Sequence, residues 1–200
     1  MLADPARELP ADVSGRLTGA PGLCIATLGP GATNLATGVS VAMLSHAPMI
    51  AITGQVQTTV MGTDAFQEVD TTGITIPITK HNYLIQDGDE LFRSVAEAFY
   101  LAGSARPGPV LIDVPKDILL GQCTPGDAGP PQMEGYRPTL KGHPGQIKRA
   151  AAAIKAAERP VIIVARVGEQ TGCDQALLKR TPWRQSELRL GRSAGSLILP

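Results

Sequence analysis

Between Gly19 and Pro115, apolar runs of five or six residues recur, each fenced by glycine or proline. Residues 23–27 (LCIAT) follow Gly22 and precede Gly29-Pro30-Gly31, residues 48–53 (PMIAIT) stop at Gly54, and residues 109–114 (PVLIDV) stop at Pro115. Runs this short, mostly apolar and ended by chain-breakers, suit strands buried on both faces, as in a parallel sheet. The stretches between them are patterned for helix. Residues 32–44 are small and mostly apolar, without proline, and residues 90–102 bring Leu91, Val95, Ala98, Phe99 and Ala102 onto one face. Strands alternating with helices predict an α/β fold, a parallel sheet flanked by helices on both faces.

Composition narrows the function classes. Lys and Arg total 18 against 18 Asp and Glu, so the formal net charge is zero. That leaves no basic excess to displace counterions from phosphates, and nucleic acid is not an expected partner. Hydrophobic residues make up 43% and charged residues 18%, a balance unlike that of disordered chains. No run approaches the roughly 20 apolar residues that span a bilayer, so no membrane association is expected. The opening MLADPARELPADVSG has charges and prolines where a secretory signal needs an apolar core, which points to a cytoplasmic location. Cys24, Cys123 and Cys173 are widely spaced and form no C-x-x-C pair, a pattern of reduced thiols.

From 121 to 145 the chain turns dense in proline and glycine and poor in large apolar groups, and reads as a linker. After it, QIKRAAAAIKAAE (146–158) reads as a helix and VIIVA (161–165) as a strand, the start of a second α/β domain spanning 146–180. One helix and one strand bury too little surface to stand alone. Residues 181–200 read as a tail: from Lys179 to Arg192 five basic residues face one acid, Glu187, with no clear period.

Polar constellations fall at the strand ends. Gly29-Pro30-Gly31-Ala32-Thr33-Asn34 lies between a strand and a helix, where glycines let backbone approach a ligand and helix-start N–H groups favour anions. On spacing alone it is an ordinary tight turn, being neither G-x-G-x-x-G nor a Walker loop. Thr53-Gly54-Gln55-Val56 and Gly62-Thr63-Asp64-Ala65-Phe66-Gln67-Glu68 follow the second strand, on the carboxyl edge where open parallel sheets bind ligands. Thr79-Lys80-His81-Asn82 is a third group. The fourth is Arg106-Pro107-Gly108-Pro109 leading into Asp113-Val114-Pro115-Lys116-Asp117, where Lys116 just beyond a strand end suits an anionic ligand.

With these strings assembled, residues 15–120 resemble the pyrimidine-binding domain of thiamine-diphosphate enzymes, of the acetolactate synthase (acetohydroxyacid synthase) large-subunit type. The resemblance rests on GRLTG, GPGATNLATG, PMIAITGQV, GTDAFQEVD, ITKHNYL, EAFYLA and RPGPVLIDVPKD, in that order. It implies thiamine diphosphate as cofactor, with Mg²⁺ and FAD in the full-length family, and decarboxylation of pyruvate followed by carboligation to a second 2-oxo acid in branched-chain amino-acid synthesis. It further implies that Gly29, Pro30, Gly31, Asn34 and Gln67 lie about the cofactor, with Arg106 near FAD. Gln57, Phe66, Lys80 and Lys116 would line the substrate channel, Gln57 standing where many relatives carry proline. A homo-oligomer, or association with an intact catalytic subunit or a regulatory subunit, is implied as well.

Departures from the family pattern set further expectations. The activating glutamate should lie about a dozen residues before Arg16; the count lands on Asp4, and Glu8 is the other nearby carboxylate, so both stand as substitutes for it. Pro5 and Pro10 argue against the helix that should aim either one. Gly88-Asp89-Glu90 and Gly126-Asp127-Ala128 lack the second glycine and downstream asparagine of a Mg²⁺–diphosphate motif, so no metal ligand is assigned. Ala165-Arg166-Val167-Gly168 replaces a glycine run expected for FAD. Residues 1–14 thus read as a divergent segment before a pyrimidine domain lacking its first strand and helix, inactive by itself. A glyoxylate-carboligase-like enzyme, a non-catalytic association module and a gene fragment with no function stay open as alternatives.

Overall fold

The structure, a computed structural model, describes residues 8–124, 131, 133–139, 141–158, 162–164, 189–191 and 196–199. Two compact units divide at Tyr136 and Arg137, within the stretch dense in proline and glycine.

In the first unit, strands β1 (Gly22–Ala26), β2 (Met49–Gln55), β3 (His81–Leu84) and β4 (Pro109–Pro115) form one sheet in the order β1-β2-β4-β3. All three pairings are parallel, with Gly22 opposite Met49, Met49 opposite Pro109, and His81 opposite Val110. Every residue of β4 is buried, the pattern of a central parallel strand covered on both faces.

Alternation along β2 and β4 divides the core in two. Met49, Ala51 and Leu111 pack with Leu35, Val39 and Ala42 on one face, against α3 (Ala36–Leu44). Ile50, Val110, Ile112 and Val114 pack with Ala98, Leu101 and Ala102 on the other, against α5 (Gly88–Gly103). The small residues of α3 follow from close helix-to-sheet packing; Val39 and Ala42 are fully buried. Helix α5 is capped by Asp87, which accepts from the Asp89 N–H, and Asp89 and Glu90 in its first turn favour the positive end of its dipole.

The single helix expected over 32–44 is broken in two. Helix α2 (Pro30–Asn34) ends where the Leu35 N–H turns to Ala32 O at 3.1 Å, a tighter i→i−3 bond, and α3 starts anew beyond it. Strand β3 was not foreseen, because the run HNYL mixes polar and apolar residues on an edge.

Pro10 does not prevent an N-terminal helix, while Pro5 lies outside the described residues. Helix α1 (Glu8–Thr18) runs across residue 14, with Pro10 in its first turn, where a missing N–H costs nothing. Its Ala11 abuts Gly22 and its Gly15 abuts Pro48, so it packs on the amino ends of β1 and β2. Arg16 locks it there, gripping Asp12 at 2.5 Å and donating to Ser45 Oγ at 2.9 Å just past α3.

The second unit contains α7 (Pro144–Ala156) and three short strands, β5 (Ile162–Val164), β6 (Arg189–Gly191) and β7 (Ser196–Leu199). These strands are antiparallel in the order β5-β7-β6, with Ile162 opposite Leu199. Within 181–200, read from sequence as a tail, the described residues 189–191 and 196–199 are strands, and the apolar Ser196–Leu199 run supplies a partner for β5. Between α5 and α7, α6 (Lys116–Leu120) follows directly on β4, and α4 (Thr71–Thr75) precedes β3. No described helix is long and apolar enough to cross a membrane.

Candidate functional site at the carboxyl rim of the sheet

In a parallel sheet, whatever follows a strand emerges at one rim and whatever precedes it at the other. Three segments meet at the carboxyl rim: 27–34 after β1, 56–70 after β2 and 116–117 after β4. Gly29 and Gln67 form a close junction between the first two. Gly29 has φ +60°, and a Cβ there would meet Gln67 O at 2.6 Å and Gln67 Cβ at 2.9 Å. A glycine is therefore required twice over, by its backbone angle and by the neighbour pressed against it. At Gly31 a Cβ would strike Thr27 Cγ2 at 2.5 Å, which closes the turn of the same loop. Gly29 and Gly31 are buried, whereas Pro30, Asn34, Gln57, Phe66, Gln67 and Lys116 are exposed at this rim. Phe66 is 88% exposed. At five residues, α2 is too short to serve as an anion-binding helix start, so its role is the turn itself.

Beneath the rim lies a buried polar cluster. Asp113 accepts from Thr53 Oγ1 at 2.7 Å and from Gln55 Nε2 at 3.0 Å, and the same Gln55 amide donates to Val69 O at 2.9 Å. Burial drives the Asp113 carboxyl up to about 6, against the two hydrogen bonds that favour its charge. Asp117 accepts from the Thr58 N–H at 3.1 Å and its hydroxyl at 2.5 Å, tying the segment after β2 to the one after β4. Those donors hold the Asp117 carboxyl below its ordinary range. Asp113, Gln55 and Asp117 stood inside the strings singled out from sequence, but with no role. The usable signal was the aspartate inside an otherwise apolar strand, since a buried carboxyl needs partners.

Two of the expected channel and cofactor residues lie at the other rim. Lys80 precedes β3, and its ammonium donates to Ser104 O at 2.9 Å and to Leu101 O, capping the carboxyl end of α5. Half-buried there, it titrates below the ordinary lysine range, mainly through desolvation. Arg106 precedes β4 and is bonded to the His46 ring, with Nη2 to Nε2 at 2.6 Å. Lys80 and Arg106 thus stand apart from Gly29, Gln67 and Lys116. Glu8 begins α1, three residues before Ala11, which abuts Gly22 at the start of β1. Asp4, Cys173 and residues 165–168 fall outside the described residues. Among the described residues no group of His, Cys, Asp or Glu could hold a metal ion.

The family described as thiamine pyrophosphate enzyme, N-terminal TPP binding domain, matches residues 9–74, which carry the Gly29 turn and the Gln67 loop. Residues 9–74 belong to that family. The match begins within α1. The chain is 54% identical over 150 residues to an acetolactate synthase of Mycobacterium bovis, covering 74% of this chain and 24% of that protein. It is 44% identical over 172 residues to a probable acetolactate synthase large subunit of Methanocaldococcus jannaschii, and 43% over 172 to the isozyme 3 large subunit of Escherichia coli. Those last two matches cover 84% of this chain and 29% of each relative, so the chain spans about a quarter of the length of these proteins. A parallel sheet flanked by helices is the expected fold of a thiamine pyrophosphate domain, and the first unit has it.

Proposed function

We propose that this chain supplies the aminopyrimidine side of a thiamine diphosphate site, within an acetolactate-synthase-like enzyme that decarboxylates pyruvate and joins the fragment to a second 2-oxo acid. The observation that carries this is the seating of Gln67 on Gly29 at the carboxyl rim of a parallel sheet. The exposed side of that junction offers backbone and a carboxamide, a donor set suited to a flat heterocycle with ring nitrogens and an amino group. Gly29, Pro30, Gly31, Asn34 and Gln67 form the cofactor side. Lys116 presents a cation for the carboxylate of a 2-oxo acid, and Gln57 and Phe66 border the same approach. Bound thiamine diphosphate supplies the carbon nucleophile; this chain's residues orient it and shape the approach to it. Mg²⁺ is not placed on the described residues, among which no group of three or more His, Cys, Asp or Glu could hold it. The site is completed by other protein, and the chain alone forms no acetolactate.

Association with a further catalytic chain is part of this reading. Leu23 and Ile25, 52% and 66% exposed on edge strand β1, favour being covered. A regulatory subunit and a cytoplasmic location belong to the same proposal, in line with relatives named large subunits.

The test is amide chemical-shift mapping of the chain with thiamine diphosphate up to about 10 mM, enough to register millimolar affinity. Shifts centred on Gly29, Gly31 and Gln67, lost in Gly29→Val, are expected. No shifts at the rim, or acetolactate formed from pyruvate by the chain alone, would overturn the proposal.

A further inference from the structure

We propose that Glu68 is a positioning residue, whose carboxylate clasps the turn 62–68 and thereby holds Gln67 against Gly29; this rests on the cofactor reading above for its ligand. The segment between β2 and α4 is anchored at its entry by Thr58 on Asp117 and at its exit by Gln55 on Val69 O. Its tip has no such anchor in the sheet. There the two oxygens of Glu68 divide the work: Oε1 accepts from the Gly62 N–H and Oε2 from the Ala65 N–H at 2.9 Å, while the Glu68 N–H returns to Ala65 O at 2.9 Å. One side chain thus joins both limbs of the turn.

The turn needs such a tie. Gly62, Asp64 and Gln67 have φ of +83°, +61° and +63°. For Asp64 and Gln67 this left-handed backbone persists only where surroundings impose it. Phe66 cannot impose it, being 88% exposed. Gln67 must nonetheless keep its backbone on Gly29, where a Cβ would find its carbonyl at 2.6 Å. Four backbone N–H groups, of Gly62, Ala65, Asp64 and Thr63, hold the Glu68 carboxyl below its ordinary range, with no cation among the causes. The other charges on this segment are Asp64 and Asp70, both acidic, so the clasp is made by amides and not by an ion pair.

Geometry distinguishes the carboxylate from its isostere. Glutamine can accept at one position only and would face the second N–H with its own NH₂. In the intact chain the Gly62 and Ala65 amide shifts should titrate together, with one midpoint below that of an ordinary glutamate. In Glu68→Gln that titration disappears, the two amides exchange about tenfold faster, and the melting temperature stays within about 2 °C, as for a surface change. The response of Gln67 to thiamine diphosphate weakens severalfold in Glu68→Gln and recovers in part in Glu68→Asp. Absence of the joint titration in the unaltered chain, or unchanged exchange in Glu68→Gln, overturns the clasp. Joint titration with no thiamine diphosphate response in any variant upholds the clasp and overturns the cofactor reading.

Discussion

Asp113 is set among apolar neighbours in β4, and its carboxyl titrates near 6 in the folded chain, against about 3.9 for an unfolded aspartate. Between those values the folded state binds more protons than the unfolded one, so this group's contribution to stability falls as pH rises from about 4 to about 6 and is level above. A shift of roughly two units corresponds to about 3 kcal/mol at most. Denaturant unfolding of the native chain and Asp113→Asn across that window should show the difference between them changing with pH in this sense; a parallel pair of curves would contradict it. The site was partly legible at this scale. Gly29, Gly31, Gln67 and Lys116 were readable because they follow strands recognised from sequence. The position of Lys80 was not legible, because it precedes β3, a strand too short and polar to be recognised; Arg106 precedes β4, which was.

Among the strands of the first unit, β1 leaves apolar side chains exposed. Gly22 and Cys24 are buried beneath its pair, while Leu23 and Ile25 on the opposite face are 52% and 66% exposed. Replacing both with threonine keeps strand propensity and removes apolar surface. The double variant should stay monodisperse at higher concentration by light scattering, with its melting temperature within a few degrees. A large loss of stability would mean those side chains are packed after all. The central strands were legible since full burial forces unbroken apolar runs; the break at Leu35 was not, because a change from i→i−4 to i→i−3 bonding leaves no compositional trace.

At the scale of the whole chain, the division at Tyr136 and Arg137 implies that the first unit owns its core. A chain ending at Tyr136 should unfold in one cooperative transition at nearly the temperature of the full chain, read by calorimetry; broad, non-cooperative melting would contradict it. The second unit was the least legible, as β5 finds its partner in Ser196–Leu199, more than thirty residues on, across a basic stretch with no period of its own. The bond from Asp117 to Thr58 joins residues 59 positions apart, each adjoining a rim residue that faces outward. Gln57 and Lys116 are thus each one residue from the same tie, and on the proposed reading a change at the uncharged position would be felt at the cation through it.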